Sequence, residues 1–532
     1  MLCFALWVGL LFASVLGDLR SDLNQAGVSA LLPGDNGYDE AAKAYNTRFS
    51  QVQPAAVAYP KSSEDVSKLM TIGSNNNLPV SARSGGHSYI ANGLGGKSGA
   101  LIIDMSNMKN INVDSSSHIA TIETGNRLGN VALGLNNAGR ALPHGTCPYV
   151  GIGGHMAYGG FGFTSRMWGL TLDTVQAVNA VLPNGTIIRA TSDTYSDLFW
   201  AFRGAAPSFG IITSIEANTF STPTSSLIFS YEWYNLPANA ASTALLNLQR
   251  YAQDQSLPAE IGAEIVLGKA SSQGNLYFSL SGGYYGSDGR SGLEQLLNPL
   301  LQALQLPNSD SGLTVKGNGT YIDSVRILAA EDGGLDTSGP DTTDRFYAKS
   351  IMIPQGQEGV ASLNSQACNG FMEYLGGVGQ SSALDWFIEI ELFGGKSSKI
   401  NEVDVGSTAF GRRDTLLTMQ LYASAGEASN FPEDAFTFLD GLVQTMTSAM
   451  PNDWNYGAYA NYIDERQDNW QQRYFGTHYQ RLQTLKAQVD PRNSLVFPRG
   501  VETTSTSSSG SGSTNDQPRS DNAARSQMWW RR

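Results

Sequence analysis

The sequence predicts an α+β protein of two or three domains, and three observations carry that reading. A chain of 532 residues, 41% hydrophobic and only 15% charged, is long and apolar enough to bury a large core. Its first 220 or so residues alternate short apolar runs with helical patterns around two glycine-rich clusters. From Ile228 to about Thr447 the texture changes to long alternating strands interspersed with helices, the pattern of a large antiparallel sheet with helices against it.

The first part is organised around Pro143 to Phe163, PHGTCPYVGIGGHMAYGGFGF. Glycines at 151, 153, 154, 159, 160 and 162 leave little room for an ordinary helix or strand. Glycine permits positive φ and close approach of the main chain to a ligand, so this density points to backbone wrapped on a cofactor. Cys147 lies inside the stretch. A second cluster, Arg83 to Tyr89, reads RSGGHSY and carries His87. Either cluster alone reads equally well as a pair of Gly-rich turns. The two clusters themselves contain three of the five histidines, His87, His144 and His155.

In chain order, the segment after Pro54 predicts a short strand, a helix capped near Ser62 or Ser63, and a buried strand ending in RSGGHS. Leu101 to Asp104 and His118 to Glu123 read as strands, Asn126 to Ala138 as a helix. Val175 to Leu182 and Gly185 to Ala190 form a hairpin across Pro183-Asn184-Gly185. In the second part, WFIEIELF alternates clearly. Trp386, Ile388, Ile390 and Leu392 face a core, while Phe387, Glu389, Glu391 and Phe393 put two carboxylates between two rings on the other face. Leu417, Met419 and Leu421 repeat the apolar side, with Thr418, Gln420 and Tyr422 opposite. Such a polar face is either solvated or a sugar-binding surface, which wants carboxylates and amides beside aromatic rings. Tyr456 to Asp464 then reads as a strand with three tyrosines, and Gln467 to Val489 as an amphipathic helix.

Met1 to Gly17 is apolar but too short to span a bilayer, and is expected to be a cleaved secretory signal; no later stretch is long and apolar enough to span. A formal charge of −13 argues against nucleic-acid partners, which require a basic face, and favours a neutral or cationic substrate. Beyond the signal only Cys147 and Cys368 remain, too few for a disulfide scaffold, and Cys147 is better placed to react than to staple. Asn184 and Asn318 are glycosylation acceptors in a secreted chain. Residues 502–532 have the composition of a disordered tail. No metal site is expected, and no heptad or large apolar stripe points to an oligomer, so the expectation is a monomer.

The combination of RSGGHSY at 83–89, CPYVGIGGHMAYGGFG at 147–162, ANYID at 460–464 and YFGTHYQRLQTLKAQVDPRN at 474–493 resembles the berberine-bridge-enzyme-like oxidases of the vanillyl-alcohol-oxidase flavoprotein superfamily. WFIEIELFGG and TMQLYAS look closest to the fungal glucooligosaccharide oxidases. The resemblance implies a two-part PCMH-type FAD-binding domain over 18–225 and a substrate domain over 226–450. A berberine-bridge-like segment over 451–501 would return to the FAD domain.

It further implies FAD tethered twice, through His87 at the flavin 8α-methyl and Cys147 at carbon 6. Both residue types are nucleophiles able to add to an electron-poor ring. The remaining cofactor contacts would come from Arg83, Ser84, Gly85, Gly86, Ser88, Val150, Gly151, Gly153, Gly154 and Gly159. His144 and His155 match no covalent role and are read as structural. Tyr462 matches the family's proton-accepting tyrosine, and Tyr459, of opposite strand parity, should point away. Tyrosine has a pKa near 10, so as a base it needs an acceptor for its own proton. Glu391 matches that acceptor, where the resembled enzymes usually carry the shorter Asp. Glu389 and Gln420 would hold sugar hydroxyls, with Tyr89 beside the flavin. Val150, three residues after the tethering cysteine, matches a position that admits O2 to the flavin.

The implied function is a secreted FAD-dependent carbohydrate oxidase. It would turn the C1 hydroxyl of a reducing mono- or oligosaccharide into the lactone and reduce O2 to H2O2. The alternatives are a berberine-bridge-type oxidase of an alkaloid, polyketide or aromatic alcohol, and a flavin-binding protein without turnover. The paired carboxylate and glutamine favour a polyhydroxylated substrate.

Overall fold

The computed structural model describes residues 18–503 except 256, 318, 331–333 and 427–430. The expected signal, the glycosylation acceptor Asn318 and nearly all of the expected tail lie outside the described residues. Among the described residues no helix is long and apolar enough to cross a membrane.

Three main sheets make up an α+β architecture. The strands are β1 (Ser29–Leu31), β2 (Ala56–Tyr59), β3 (Val80–Arg83), β4 (Leu101–Asp104), β5 (Ile111–Val113), β6 (Ile119–Glu123), β7 (Val175–Val181), β8 (Ile187–Ala190) and β9 (Ile211–Asn218) in the first part. The first four form a sheet in the order β1-β2-β4-β3, and the next five an antiparallel sheet in the order β5-β6-β9-β7-β8. Both β2 and β3 run parallel to β4, which a crossover between them requires. The helix Ser63–Asn75 supplies it. Ser62 caps the helix by accepting from the Asp65 N–H at 3.3 Å, and Val66, Leu69, Met70 and Ile72 bury the i, i+3, i+4 stripe. The predicted hairpin forms between β7 and β8, with Asn184 exposed at its turn.

The second part is a seven-stranded antiparallel sheet. Its strands are β10 (Leu227–Pro237), β11 (Ile261–Lys269), β12 (Asn275–Tyr284), β13 (Thr314–Lys316), β14 (Phe346–Pro354), β15 (Asp385–Leu392) and β16 (Thr415–Ser424), in the order β13-β10-β12-β11-β15-β16-β14. The alternation read from WFIEIELF decides its two faces. Trp386, Ile388, Ile390, Leu417, Met419 and Leu421 join one core with the helices Ala238–Asp254, Gly289–Leu304, Ser365–Tyr374 and Glu433–Thr447. On the other face Glu389 pairs with Gln420 and Glu391 with Thr418 across β15 and β16. That face is covered rather than solvated: Glu391 keeps 8% of its surface and Gln420 6%. Phe393, just past the strand, leaves the sheet core and stacks on Phe161 of the glycine stretch at 4.5 Å.

Three sequence expectations are corrected. The glycine stretch does contain a helix, Ile152–Ala157, because only part of its glycine density serves unusual backbone. The tyrosine segment is not a strand: it makes a single bridge, Gly457 to Met352, and then a 3-10 turn over Ala460–Tyr462. The following helix is interrupted, Trp470–Phe475 and Tyr479–Val489 being separated where Gly476 takes φ of +56°.

Buried cations stitch the two parts together. Arg166, fully buried, donates to the carbonyls of Gly394, Pro258, Ile261 and Lys396 at 2.7–3.1 Å. Burial lowers its pKa to about 10, which leaves it charged at neutral pH. Arg413 pairs with Asp173 through two bonds of 2.7 and 2.9 Å. Losing the Arg166 guanidinium strands several buried carbonyls at once. Arg166→Leu should therefore cost about 3 kcal/mol or more, since each charged hydrogen bond contributes about 1.5–3 kcal/mol. Thermal unfolding checks this, and an unchanged Tm would contradict it.

Candidate active site

Two glycine loops meet main chain to main chain. A Cβ on Gly85 would lie 2.3 Å from the Gly151 nitrogen, and one on Gly151 would lie 2.0 Å from the Gly85 nitrogen. No side chain fits at either position. Between them Ser84 Oγ donates to the Thr124 carbonyl and accepts from the Gly153 N–H at 3.2 Å. This contact sets His87 and Cys147 on the wall of one cavity of about 890 Å³.

The same cavity is lined by Ser84, Gly85, Gly86, Ser88, Val150, Gly151, Gly153 and Gly154 on one side, and by Glu389, Glu391 and Gln420 of the sheet on the other. Tyr89 and Tyr462 line it as well. Thus nearly every residue singled out in the sequence comes to one place. Gly159 does not line it: at φ of +144° it gives room to the Tyr459 ring, 2.8 Å from where a Cβ would sit. Arg83 is there, but its guanidinium is engaged by Asp104 and the Ala41 carbonyl.

Tyr462 donates its hydroxyl proton to Glu391 Oε1 at 3.0 Å. Tyr89 stacks on Tyr462 with centroids 6.1 Å apart, and its hydroxyl accepts from Gln420 Nε2 at 2.7 Å. Tyr459 serves the backbone instead. Its oxygen accepts from the Gly160 and Phe161 N–H groups at 3.0 and 3.1 Å, so the two tyrosine hydroxyls part company even though no strand separates them. The chain just past Tyr462 is anchored at Asp464. Lys349 bridges Asp464 and Asp440 at 2.9 and 2.8 Å, and the Asp464 N–H donates to Tyr474.

Electrostatics single out Glu391. Burial, then the charges of Glu389 and Glu264, push its carboxyl well above the usual range, against a smaller opposing pull from the Tyr462 hydroxyl. Glu264 stands directly opposite Glu391 across β11 and β15, a like-charged pair that costs stability unless the carboxyl is neutral or engaged. Burial and then Glu391 likewise push Tyr462 well above its ordinary value. Glu391 Oε2 is buried without a hydrogen-bond partner among the described residues, an orphan acceptor of the kind a bound hydroxyl would satisfy. His155 is structural: its Nε2 accepts from the Gly145 N–H at 3.1 Å, and burial lowers its pKa to about 3. His144 is also buried, with Nδ1 on the Gly145 carbonyl. Cys147 and Cys368 form no disulfide among the described residues, and Cys368 sits in the sheet's core, where burial raises it to about 12.

The sequence reading missed three residues. Glu264 had a signal, since the alternation of AEIVL puts it opposite the core-facing Ile265. Tyr45, stacked on His87 at 3.9 Å, and Asp341, 2.6 Å from His87 Nε2, had none, being brought there from distant, aperiodic segments.

Residues 54–191 match the FAD binding domain family, and residues 458–502 match the family described as berberine and berberine like. Chitooligosaccharide oxidase from Gibberella zeae is 32% identical over 492 residues, 91% of this chain and 94% of that protein. Carbohydrate oxidase from Microdochium nivale is 34% identical over 514 residues, covering 94% and 98%. The chain belongs to the berberine-bridge-enzyme-like FAD-linked oxidases. A solved structure of glucooligosaccharide oxidase from Acremonium strictum, described as carrying a 6-S-cysteinyl, 8α-N1-histidyl FAD, superimposes with a TM-score of 0.83. It is 30% identical, with 91% of this chain and 99% of that one covered.

The residues of this FAD-linked oxidase fit the cofactor. The cavity wall carries an imidazole and a thiol, and its main chain is bare where Gly154 faces open space, with nothing within 4 Å of a Cβ placed there. That space separates two roles for glycine. Gly151→Ala should prevent correct folding, because its Cβ meets backbone. Gly154→Ala should leave the Tm of FAD-free protein unchanged yet weaken FAD uptake, measured by flavin titration. Equal uptake by Gly154→Ala would show that the cofactor lies elsewhere.

Proposed function

We propose that this FAD-linked oxidase is a secreted carbohydrate oxidase, converting the C1 hydroxyl of a reducing saccharide to a lactone with O2 reduced to H2O2. The observation that carries the reading is the buried Tyr462–Glu391 hydrogen bond, set beside Glu389 and Gln420 on the same cavity wall as His87 and Cys147. The resemblance to chitooligosaccharide and carbohydrate oxidases supports a sugar over an alkaloid or aromatic alcohol. Residues 18–225 would hold FAD, residues 226–450 the sugar, and residues 451–501 the catalytic tyrosine.

His87 and Cys147 would hold the FAD covalently, and when bound it supplies a hydride acceptor that passes electrons to O2. Arg83, Ser84, Gly85, Gly86, Ser88, Gly151, Gly153 and Gly154 would cradle it, and Val150 on the cavity wall would leave oxygen a path. The chain's own residues handle the proton. Tyr462 takes the C1 hydroxyl proton and hands its own to Glu391. A lone phenol is too weak a base at neutral pH, but a desolvated carboxylate with a raised pKa is a stronger base than an ordinary one. Glu389 and Gln420 orient the neighbouring hydroxyls, and Tyr89 offers a ring face. The carboxylates on this wall favour neutral over anionic sugars.

Tyr462→Phe keeps the ring and removes the relay. Anaerobic reduction of the flavin by sugar should slow by roughly 10²–10⁴, as followed by stopped-flow absorbance; a normal rate would make Tyr462 structural. The pH dependence has a definite sign. Glu391 must be ionised to accept, so kcat/KM rises with pH through its raised pKa. Glu389 contributes to that rise by repulsion. Glu389→Gln should thus lower the pKa of Glu391 and move the acid limb of the profile to lower pH. A shift to higher pH, or none, would refute the assignment.

A further inference from the structure

Behind His87 lies a residue for which the sugar chemistry has no use. Asp341 Oδ2 is 2.6 Å from His87 Nε2, while the other face of the contact is built by Tyr45 stacked on the imidazole at 3.9 Å and 26°. His87 and Tyr45 line the cavity, and Asp341 does not. Side-chain exposures of 12% for His87 and 19% for Asp341 mark a largely desolvated pair.

The chain on either side of the His87 contact is anchored near Tyr45 and near Asp341. Three residues on, Asp344 accepts from the Tyr422 and Ser424 hydroxyls at 2.6 and 2.9 Å, and its carbonyl accepts from the Thr47 N–H at 2.8 Å. Asn46, next to the stacked Tyr45, donates to the carbonyls of both Tyr89 and Phe346 at 2.8 and 2.9 Å. Three distant segments, around residues 45, 87 and 341, thereby clamp one imidazole. A surface histidine would not need such a frame.

We propose that Asp341 is a positioning residue for the attachment of FAD at His87; the inference rests on the covalent tether of the preceding section. A carboxylate accepting from Nε2–H fixes the tautomer in which Nδ1 carries the lone pair, and makes that nitrogen the more nucleophilic. Attachment replaces one C–H bond of the flavin 8α-methyl by an N–C bond to Nδ1. The methyl proton and the imidazole N–H proton are released, and the electron pair of the broken C–H bond stays on the flavin. O2, the acceptor of the proposed oxidase, then removes that pair and the two protons as H2O2. While the N–C bond forms, the ring becomes cationic, and Asp341 stabilises that charge before the Nε2 proton leaves through it. Removing the carboxylate therefore slows bond formation without removing the nucleophile.

The test uses full-length protein in a Cys147→Ala background, so that His87 is the sole tether. FAD-free protein is mixed with FAD in air, and aliquots are denatured and read for gel-bound flavin fluorescence and intact mass. Cys147→Ala alone should acquire flavin that survives denaturation. With Asp341→Ala or the isosteric Asp341→Asn added, the protein should bind FAD but attach it slower by roughly 10²-fold, and Asp341→Glu should restore much of the rate. Should the alanine variant fail to take up FAD, the asparagine variant decides. Attachment at the Cys147→Ala rate in the asparagine variant overturns the role of Asp341. Free FAD released from Cys147→Ala itself overturns the histidyl tether, and the proposal with it.

Discussion

The site depends on one steric constraint, the seating of Gly85 against Gly151. Two loop segments, one just past β3 and one leading into the helix Ile152–Ala157, approach so closely that neither can carry a Cβ. Hydrogen bonds through Ser84 fix the register of that approach. Because the contact is between main chains, no side-chain rotation can relax it. It brings an imidazole and a thiol, 60 residues apart in sequence (147 − 87), to one wall. The proposed double attachment of FAD would need this constraint, since both side chains would have to reach fixed atoms of one planar ring.

The opposite wall is rigid for another reason. A polar face of an antiparallel sheet is cheap when solvated and expensive when covered. Here it is covered, and the like-charged Glu264 and Glu391 stand opposite each other. The chain tolerates this because Tyr462 satisfies one oxygen of Glu391, and burial favours the neutral acid. The other oxygen has no hydrogen-bond partner among the described residues. Stability given up here would suit Glu391 to the proposed role of proton acceptor, an exchange common at catalytic carboxyls. The anchoring of the 456–464 segment through Lys349, Asp440 and Asp464 then keeps the phenol in reach.

Much of this was legible in the sequence where periodicity governs. WFIEIELF could adopt only one orientation, because its apolar side has to meet a core, and that placed Glu389, Glu391 and Gln420 together. The resemblance, rather than any pattern, joined Tyr462 to them. Where backbone conformation is set by tertiary contacts, the reading failed. Strand parity gave the right separation of Tyr459 from Tyr462 for the wrong reason, since the segment is a 3-10 turn held by its ends. Gly159 looked like a cofactor contact because glycine density cannot distinguish room for a ligand from room for a tyrosine ring. Asp341, 254 positions from His87, lies in a loop with no period to read.

The most direct test of the account is anaerobic reduction of the bound flavin by a reducing oligosaccharide, by its 1-O-methyl glycoside, and by an aromatic alcohol. In the proposed role, the hydrogen-bonded Tyr462–Glu391 pair would require a free C1 hydroxyl beside further sugar hydroxyls. The account predicts rapid bleaching of the flavin absorbance by the reducing sugar and none by its methyl glycoside or the aromatic alcohol. Equal bleaching by the methyl glycoside, or faster bleaching by the aromatic alcohol, would contradict it.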